Sequence, residues 1–266
     1  MEIIGYILSI FIGIILGLLG GGGSILSIPI LVYFFKIDAV LASAYSLFIV
    51  GITSFIGAVP KYKDHLVSIK AGLLFGVPSI LSIFATRKWL IPAIPEIIIQ
   101  FDTFVLTKRF LLLALFAVLM IIASISMIAA KKETEEVEKD PRIFLAIVEG
   151  TLIGFLTGLV GAGGGFLIIP ALVFLTGLPF KTAVGTSLFV IAINALTGFL
   201  GDVFNYVMDW PFLLSITALA SLGILIGNRL TKVISGVKLR KAFGWFVFVI
   251  GILILLRETL FAPQSL

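Results

Sequence analysis

Two glycine clusters carry the chemistry that this sequence offers. Gly20-Gly21-Gly22-Gly23-Ser24 lies inside an apolar run at 4–35, and Gly161-Ala162-Gly163-Gly164-Gly165 lies inside another at 142–176. Glycine costs about 1 kcal/mol in a helix interior, so such clusters unwind the backbone. Unwound backbone in hydrocarbon is costly unless protein or a water-filled cavity satisfies its N–H and C=O groups, which puts the breaks inside a bundle. The segments that follow, 24–35 and 165–176, then begin with unpaired N–H groups bearing positive partial charge. Ends of this kind hold an anion without a charged side chain, and the missing Cβ at Gly21 to Gly23 and Gly163 to Gly165 lets the backbone approach closely. The competing reading is close helix packing, which suits isolated Gly5, Gly13, Gly72 and Gly251. Pro29 and Pro170 set a kink and free a carbonyl.

The next apolar segment of each half supplies polar groups at matched places: Ser43, Tyr45, Ser46 and Thr53 in one, Thr186, Ser187 and Asn194 in the other. Such donors can replace the hydration shell of an oxyanion, although each singly reads as well as a helix–helix hydrogen bond. Ser46 and Ser187 rank first because they repeat. Glu149 is the one ionisable residue well inside an apolar stretch, a candidate for coupling. His65, between Lys63 and Lys70, reads as a solvated loop residue. Arg87, Asp202, Asp209 and Arg229, at segment ends, read as markers of the membrane interface.

The elements that must position these residues are membrane helices. Of 266 residues 60% are hydrophobic and 12% charged, with a mean hydropathy of +1.25; soluble proteins run to roughly 25% charged. The excess apolar surface must face lipid. Apolar stretches run approximately 4–35, 39–59, 67–86, 109–130, 142–176, 182–200, 211–227 and 242–256. The first and fifth are too long for one upright helix and too short for two. The opening segment has Glu2, no basic n-region and no small-residue cleavage site, so it is expected to stay in the mature protein.

Placed at an offset of 141, residues 17–59 and 158–200 share 16 identities in 43 positions, including Pro29 with Pro170, Ser46-Leu47-Phe48 with Ser187-Leu188-Phe189, and Gly57 with Gly198. This is an internal duplication. The expected architecture is an all-α polytopic membrane protein: a first repeat at 1–130, a hydrophilic linker at 131–141 and a second repeat at 142–266. Each half has about four apolar segments, the first broken at its glycine cluster. If the broken segments turn back as hairpins, one side of the membrane holds 13 of the 19 basic residues; if they cross once, the better side holds 11. Positive-inside asymmetry leans toward hairpins, and hence toward inverted repeats. Both versions put the C-terminus outside.

The chain has no cysteine and one histidine, which removes disulfides, thiolate catalysis and the usual metal-ligand sets; no cofactor or metal is implied. The net charge of +5 is spread over short loops rather than a nucleic-acid-binding stripe, so the expected partners are lipid and a small anion. An intramembrane enzyme lacks a buried Cys, a His in a span, a Ser–Lys pair or paired carboxylates. No nucleotide-binding Gly-x-x-x-x-Gly-Lys-Ser/Thr run is present. A secondary transporter fits best; a passive anion channel or a purely structural membrane subunit are the alternatives.

The paired motifs Gly17-Leu-Leu-Gly-Gly-Gly-Gly-Ser24…Pro29 and Gly158-Leu-Val-Gly-Ala-Gly-Gly-Gly165…Pro170, each followed by Ala-x-x-x-Ser-Leu-Phe from Ala42 and Ala183, resemble those of the TauE/SafE family of sulfite exporters. The resemblance covers nearly the whole chain, including the run from Gly177 to Ser187. It implies outward movement of sulfite, organosulfonates or related sulfur oxyanions and small carboxylates across the inner membrane. The first half departs from the pattern at Lys36-Ile37-Asp38, which stands where the second has Gly177-Leu178-Pro179, and at Tyr45, which stands opposite Thr186. Any pseudo-symmetric site is therefore chemically asymmetric.

Overall fold

The computed structural model describes residues 2–101, 104–129, 143–161, 163–165, 167–169, 172, 178–231 and 236–261. The linker at 131–141, Pro170 and the final five residues lie outside that set. Eight main helices are described: α1 Glu2–Leu19, α2 Ala39–Lys63, α3 Ile69–Ala85, α4 Lys108–Ala129, α5 Ile143–Val160, α6 Phe180–Asp202, α7 Trp210–Leu230 and α8 Gly236–Phe261. Among the described residues five helices are long and apolar enough to cross a membrane, and the stretches Ile3–Leu19, Gly23–Phe34 and Phe144–Val160 are shorter apolar helices. The bundle is ringed by exposed apolar side chains such as Phe11, Phe55, Leu81, Leu152 and Leu222, a surface that suits lipid.

The first apolar run folds back on itself. Gly20 has φ +63°, a left-handed conformation that glycine adopts without steric cost, and it ends α1. A 3₁₀ stretch, Gly20–Leu26, then leads through the turn Ser27–Pro29 into the π-helical Ile30–Phe34. A Cβ on Gly23 would overlap the backbone of Leu16, and one on Gly5 would meet the Phe35 ring at 2.5 Å. The returning helical leg of this hairpin therefore lies along α1. In the second run Gly161, Gly163 and Gly164 have φ of +80°, +68° and +69°, and a Cβ on Gly164 would overlap Thr157, the position 141 residues beyond Leu16.

Contacts at glycines fix the helix directions, because small residues let the backbones touch. Gly13 lies on Ala220 and Ile224, and Gly17 on Ile224 and Asn228, so α1 and α7 run the same way. Gly150 on Phe75, Gly154 on Ser79 and Gly158 on Thr86 make α5 and α3 parallel too. In contrast, Gly51 meets Leu196, Gly57 meets Leu188 and Gly198 meets Leu47. Thus α2 and α6, equivalent at the offset of 141, run in opposite directions at the centre of the bundle. Helices α4 and α8 pair antiparallel, with Gly251 against Ala117 and Gly244 against Ser124.

Caps explain where the helices begin. The Asp38 carboxylate accepts from the N–H groups of Val40 (2.8 Å) and Leu41 (3.4 Å) at the start of α2, and Asp209 accepts from Phe212 N–H at 3.1 Å at the start of α7. Such caps satisfy otherwise orphaned donors. Beyond α3 the helix does not stop at 86: a π turn, Thr86–Leu90, and a further turn, Ile91–Ala93, carry it on. An antiparallel hairpin, β1 Ile97–Phe101 with β2 Phe104–Thr107, follows, with Gln100 opposite Val105. The hairpin lies between the apolar stretches 67–86 and 109–130, and nothing in the sequence pattern pointed to strands there. We call the end of the bundle where α1 begins the near end; β1–β2, the start of α2 and the ends of α3 and α6 lie there. The loop at 64–68 marks the far end.

Candidate functional site

The two glycine turns meet in the middle of the bundle. A Cβ on Gly21 would overlap Gly165, and one on Gly165 would overlap Gly21. Only glycine at both positions permits that backbone contact. Around it, a Cβ on Gly163 would meet Val50 of α2 at 2.8 Å, and one on Gly20 would meet the Ser187 Oγ of α6 at 2.9 Å. Each turn therefore presses on the central helix pair, and a hairpin entering from the near end meets one entering from the far end.

The sequence-selected hydroxyls divide by partner. Ser24 Oγ donates to Gly21 O at 2.7 Å, and Ser27 Oγ donates to Ser24 O at 2.7 Å. With the Ser27 hydrogen so engaged, the Ser46 hydroxyl is the donor in its contact with Ser27 Oγ. Ser27, which the sequence reading passed over, thus ties the first glycine turn to α2; its counterpart at the offset is Ile168, so the repeat gave no signal. Ser187 Oγ donates to Val184 O at 2.8 Å within its own helix. Tyr45 and Thr186 instead accept backbone N–H groups, from Asp209 (2.7 Å) and Ser68 (2.9 Å). Asn194 Nδ2 donates to Ser79 Oγ at 2.6 Å. Among the described residues six buried side-chain oxygens have no partner: Thr53 Oγ1, Ser54 Oγ, Thr157 Oγ1, Asn194 Oδ1, Asp202 Oδ1 and Asn228 Oδ1. Buried polar atoms are rarely left so, and three of these are hydroxyls free to donate to an anion.

Pro29 is buried in the returning helical leg of the first hairpin. Gly22 lies within the 3₁₀ stretch. Glu149 stands part-way along α5, half-buried, and its carboxylate makes no hydrogen bond or ion pair with the described residues. Among the described residues no three acidic or histidine side chains cluster to hold a metal.

One expectation is corrected. Arg87 and Asp202 do not mark the interface: both side chains are 0% exposed, and Arg87 Nη1 contacts Asp202 Oδ2 at 3.0 Å. The same nitrogen donates to Ser43 Oγ at 2.8 Å, while Ser43 donates to Val40 O. Arg87 is buried because α3 continues through the π turn rather than ending, which carries the side chain under Gly201 of α6 and against Gly161. Lys61, the offset equivalent of Asp202, is also nearly buried and donates to Thr231 Oγ1 at 3.1 Å. Burial of so many polar groups is tolerable only when partners surround them.

At the near end a cavity of about 480 Å³ opens between the first hairpin and the α4–α8 pair, lined by Val32, Tyr33, Lys36, Ile37, Asp38, Arg109 and Arg257. Arg257 stacks over the Tyr33 ring at 4.2 Å, and Arg109 sits 3.9 Å from the buried carboxylate of Glu258. Asp38 is spent on its helix cap. Three cations thus line the cavity beside one carboxylate, with Lys36 held at φ +56°, a conformation that costs a non-glycine residue roughly 1–2 kcal/mol.

The sequence pattern of the family described as sulfite exporter TauE/SafE matches residues 6–254. A "Probable membrane transporter protein" of Xylella fastidiosa is 27% identical over 257 residues, spanning 93% of this chain and 92% of its own length. YdhB of Bacillus subtilis, named in the same words, is 28% identical over 92% of this chain and 96% of its own. MJ0441 of Methanocaldococcus jannaschii, with the same description, is 27% identical over 94% and 95% respectively. No solved structure matches the chain.

Proposed function

We propose, from the premise that this chain belongs to the sulfite exporter TauE/SafE family, that it is a secondary carrier exporting a small sulfur oxyanion, sulfite or an organosulfonate, across the plasma membrane. That it is an integral membrane transporter follows from the family and from the relatives' names; the anion, its direction and the carrier mechanism are our reading. The observation that carries it is the contact of Gly21 with Gly165. Two glycine-rich turns entering from opposite ends of a bundle bring backbone dipoles to one place, which is how a site for an anion is built without a fixed charge. The partnerless hydroxyls of Thr53, Ser54 and Thr157 support it, since a dehydrated oxyanion needs donors.

The opposed directions of α2 and α6 support reading the halves as inverted repeats in a bilayer. Hairpins then leave the far end facing the cytosol, with 13 of the 19 basic residues on that side, in keeping with positive-inside asymmetry, and the C-terminus outside. A negative interior favours expulsion of an anion.

The test is flux in proteoliposomes of sulfite beside sulfate, thiosulfate, sulfoacetate and chloride, for the native chain and for Gly22→Leu with Gly164→Leu. Saturable sulfite flux with counterflow, lost in the folded double variant, is the expected result. Equal flux in that variant returns the glycines to a packing role, and non-saturating flux without counterflow replaces the carrier by a channel.

A further inference from the structure

A guanidinium has one edge, formed by Nε and Nη2, whose two N–H bonds run parallel and match two oxygens of an oxyanion. In Arg87 that edge is free. Both bonds to neighbours, to Asp202 Oδ2 and to Ser43 Oγ, come from Nη1, while Nε and Nη2 are buried without partners, as is Asp202 Oδ1. A structural ion pair in a fully buried place normally gains from bidentate geometry and from satisfying every remaining donor. This one leaves its best anion-gripping edge empty. Nη2 lies against Gly161, where an added Cβ would overlap it, so the edge faces the left-handed turn that opens the second glycine cluster. The Gly161 N–H is already spent on Thr157 O at 2.7 Å, and the turn does not satisfy the arginine.

We propose that the Nε/Nη2 edge of Arg87 grips two oxygens of the transported oxyanion at the near end of its path, and that Asp202 is the built-in counter-anion that neutralises the arginine while it is empty. The proposal rests on the carrier reading above and adds to it a charged contact that the glycine turns do not supply. Gly161 crowds the edge in this conformation, so occupancy requires the second glycine turn to withdraw. Binding at Arg87 is thereby linked to movement of the hairpin that reaches Gly21. The chemistry selected is a sulfonate, sulfite or carboxylate with two coplanar oxygens, and chloride is disfavoured because it can engage the two donors with only one atom.

The experiment measures sulfite flux in proteoliposomes and sulfite-dependent thermal stabilisation of the purified protein, for the native chain, R87K and R87Q/D202N. The double variant removes both charges while keeping a polar side chain at each place, and R87K keeps the charge but loses the fork. Expected are a half-saturating sulfite concentration raised at least about tenfold in each variant, the scale of losing charge-assisted hydrogen bonds, and a melting temperature without sulfite near the native one for R87Q/D202N. Half-saturation within about twofold of native in R87Q/D202N, or in R87K where the double variant does not fold, overturns the role of Arg87 and leaves the carrier reading intact. Absence of saturable flux and of stabilisation by any sulfur oxyanion in the native chain overturns the carrier reading, and this proposal with it.

Discussion

The Tyr45 hydroxyl accepts the backbone N–H of Asp209 at 2.7 Å, and at the other end of the molecule the Thr186 hydroxyl accepts the backbone N–H of Ser68 at 2.9 Å. Tyr45 and Thr186 are equivalent at the offset of 141, as are Ser68 and Asp209. Side chains of different kinds thus do one job, each tying the central helix of its half to the loop that starts the other half's next long helix.

Removing either tie should loosen one end. Tyr45→Phe and Thr186→Val each leave a backbone N–H without its acceptor, at an expected cost of about 1–2 kcal/mol. The two lie at opposite ends of the bundle, so their costs should add in the double variant. Unfolding in detergent, followed by tryptophan fluorescence, checks both statements; a double variant no worse than either single would mean that the two ends are not independent.

Gly21→Ala and Gly165→Ala each drive a Cβ into opposing backbone, which cannot rotate away as a side chain can. Overpacking of this kind should cost roughly 3 kcal/mol or more, and flux should fall with it. Gly76→Ala is the contrast. Its nearest neighbour would be a Val190 methyl at 3.9 Å, and alanine in a helix gains about 0.5–1 kcal/mol over glycine. A stabilised Gly76→Ala beside a collapsed Gly21→Ala separates contact from mere helix propensity.

These glycine roles were legible because duplication writes each feature twice: the clusters, Pro29, and Ser46 with Ser187 all stand out at the offset of 141. What occurs once was hidden. Arg87 and Asp202 flank apolar stretches, and a charge at a stretch end looks the same whether it snorkels to the interface or is swallowed by a neighbouring helix. Deciding between these needed the π turn at Thr86–Leu90, which keeps the helix going past the apparent boundary. The strands at Ile97–Phe101 and Phe104–Thr107 were hidden for a different reason: a short apolar run after Pro92 and Pro95 has no period that separates strand from helix.

Lys36 occupies a left-handed position where the second half has Gly177. Lys36→Gly should relieve backbone strain and stabilise the protein by about 1 kcal/mol. It also removes one of three cations from the near-end cavity. Anion capture from that side should slow by roughly two- to fivefold at low ionic strength, since one charge near an anion is worth about 1 kcal/mol in water, and the difference should vanish in high salt. Initial rates of uptake at two salt concentrations read this directly, and a more stable variant with unchanged low-salt rates would make the lysine electrostatically idle.

Because the chain has no cysteine, single introduced cysteines report membrane sides without a background to remove. The hairpin of the first run puts Gly5 beside Phe35, so both ends of that run should face the same side; a single crossing would separate them. Ile3→Cys, Lys36→Cys and Phe204→Cys should all react with an impermeant maleimide in intact cells, while Asp64→Cys should react only after permeabilisation. The first pair is decisive. If Ile3→Cys and Lys36→Cys label on opposite sides, the 4–35 run spans the bilayer, the halves lose their opposed orientation, and the two glycine turns no longer approach one site from the two faces of the membrane.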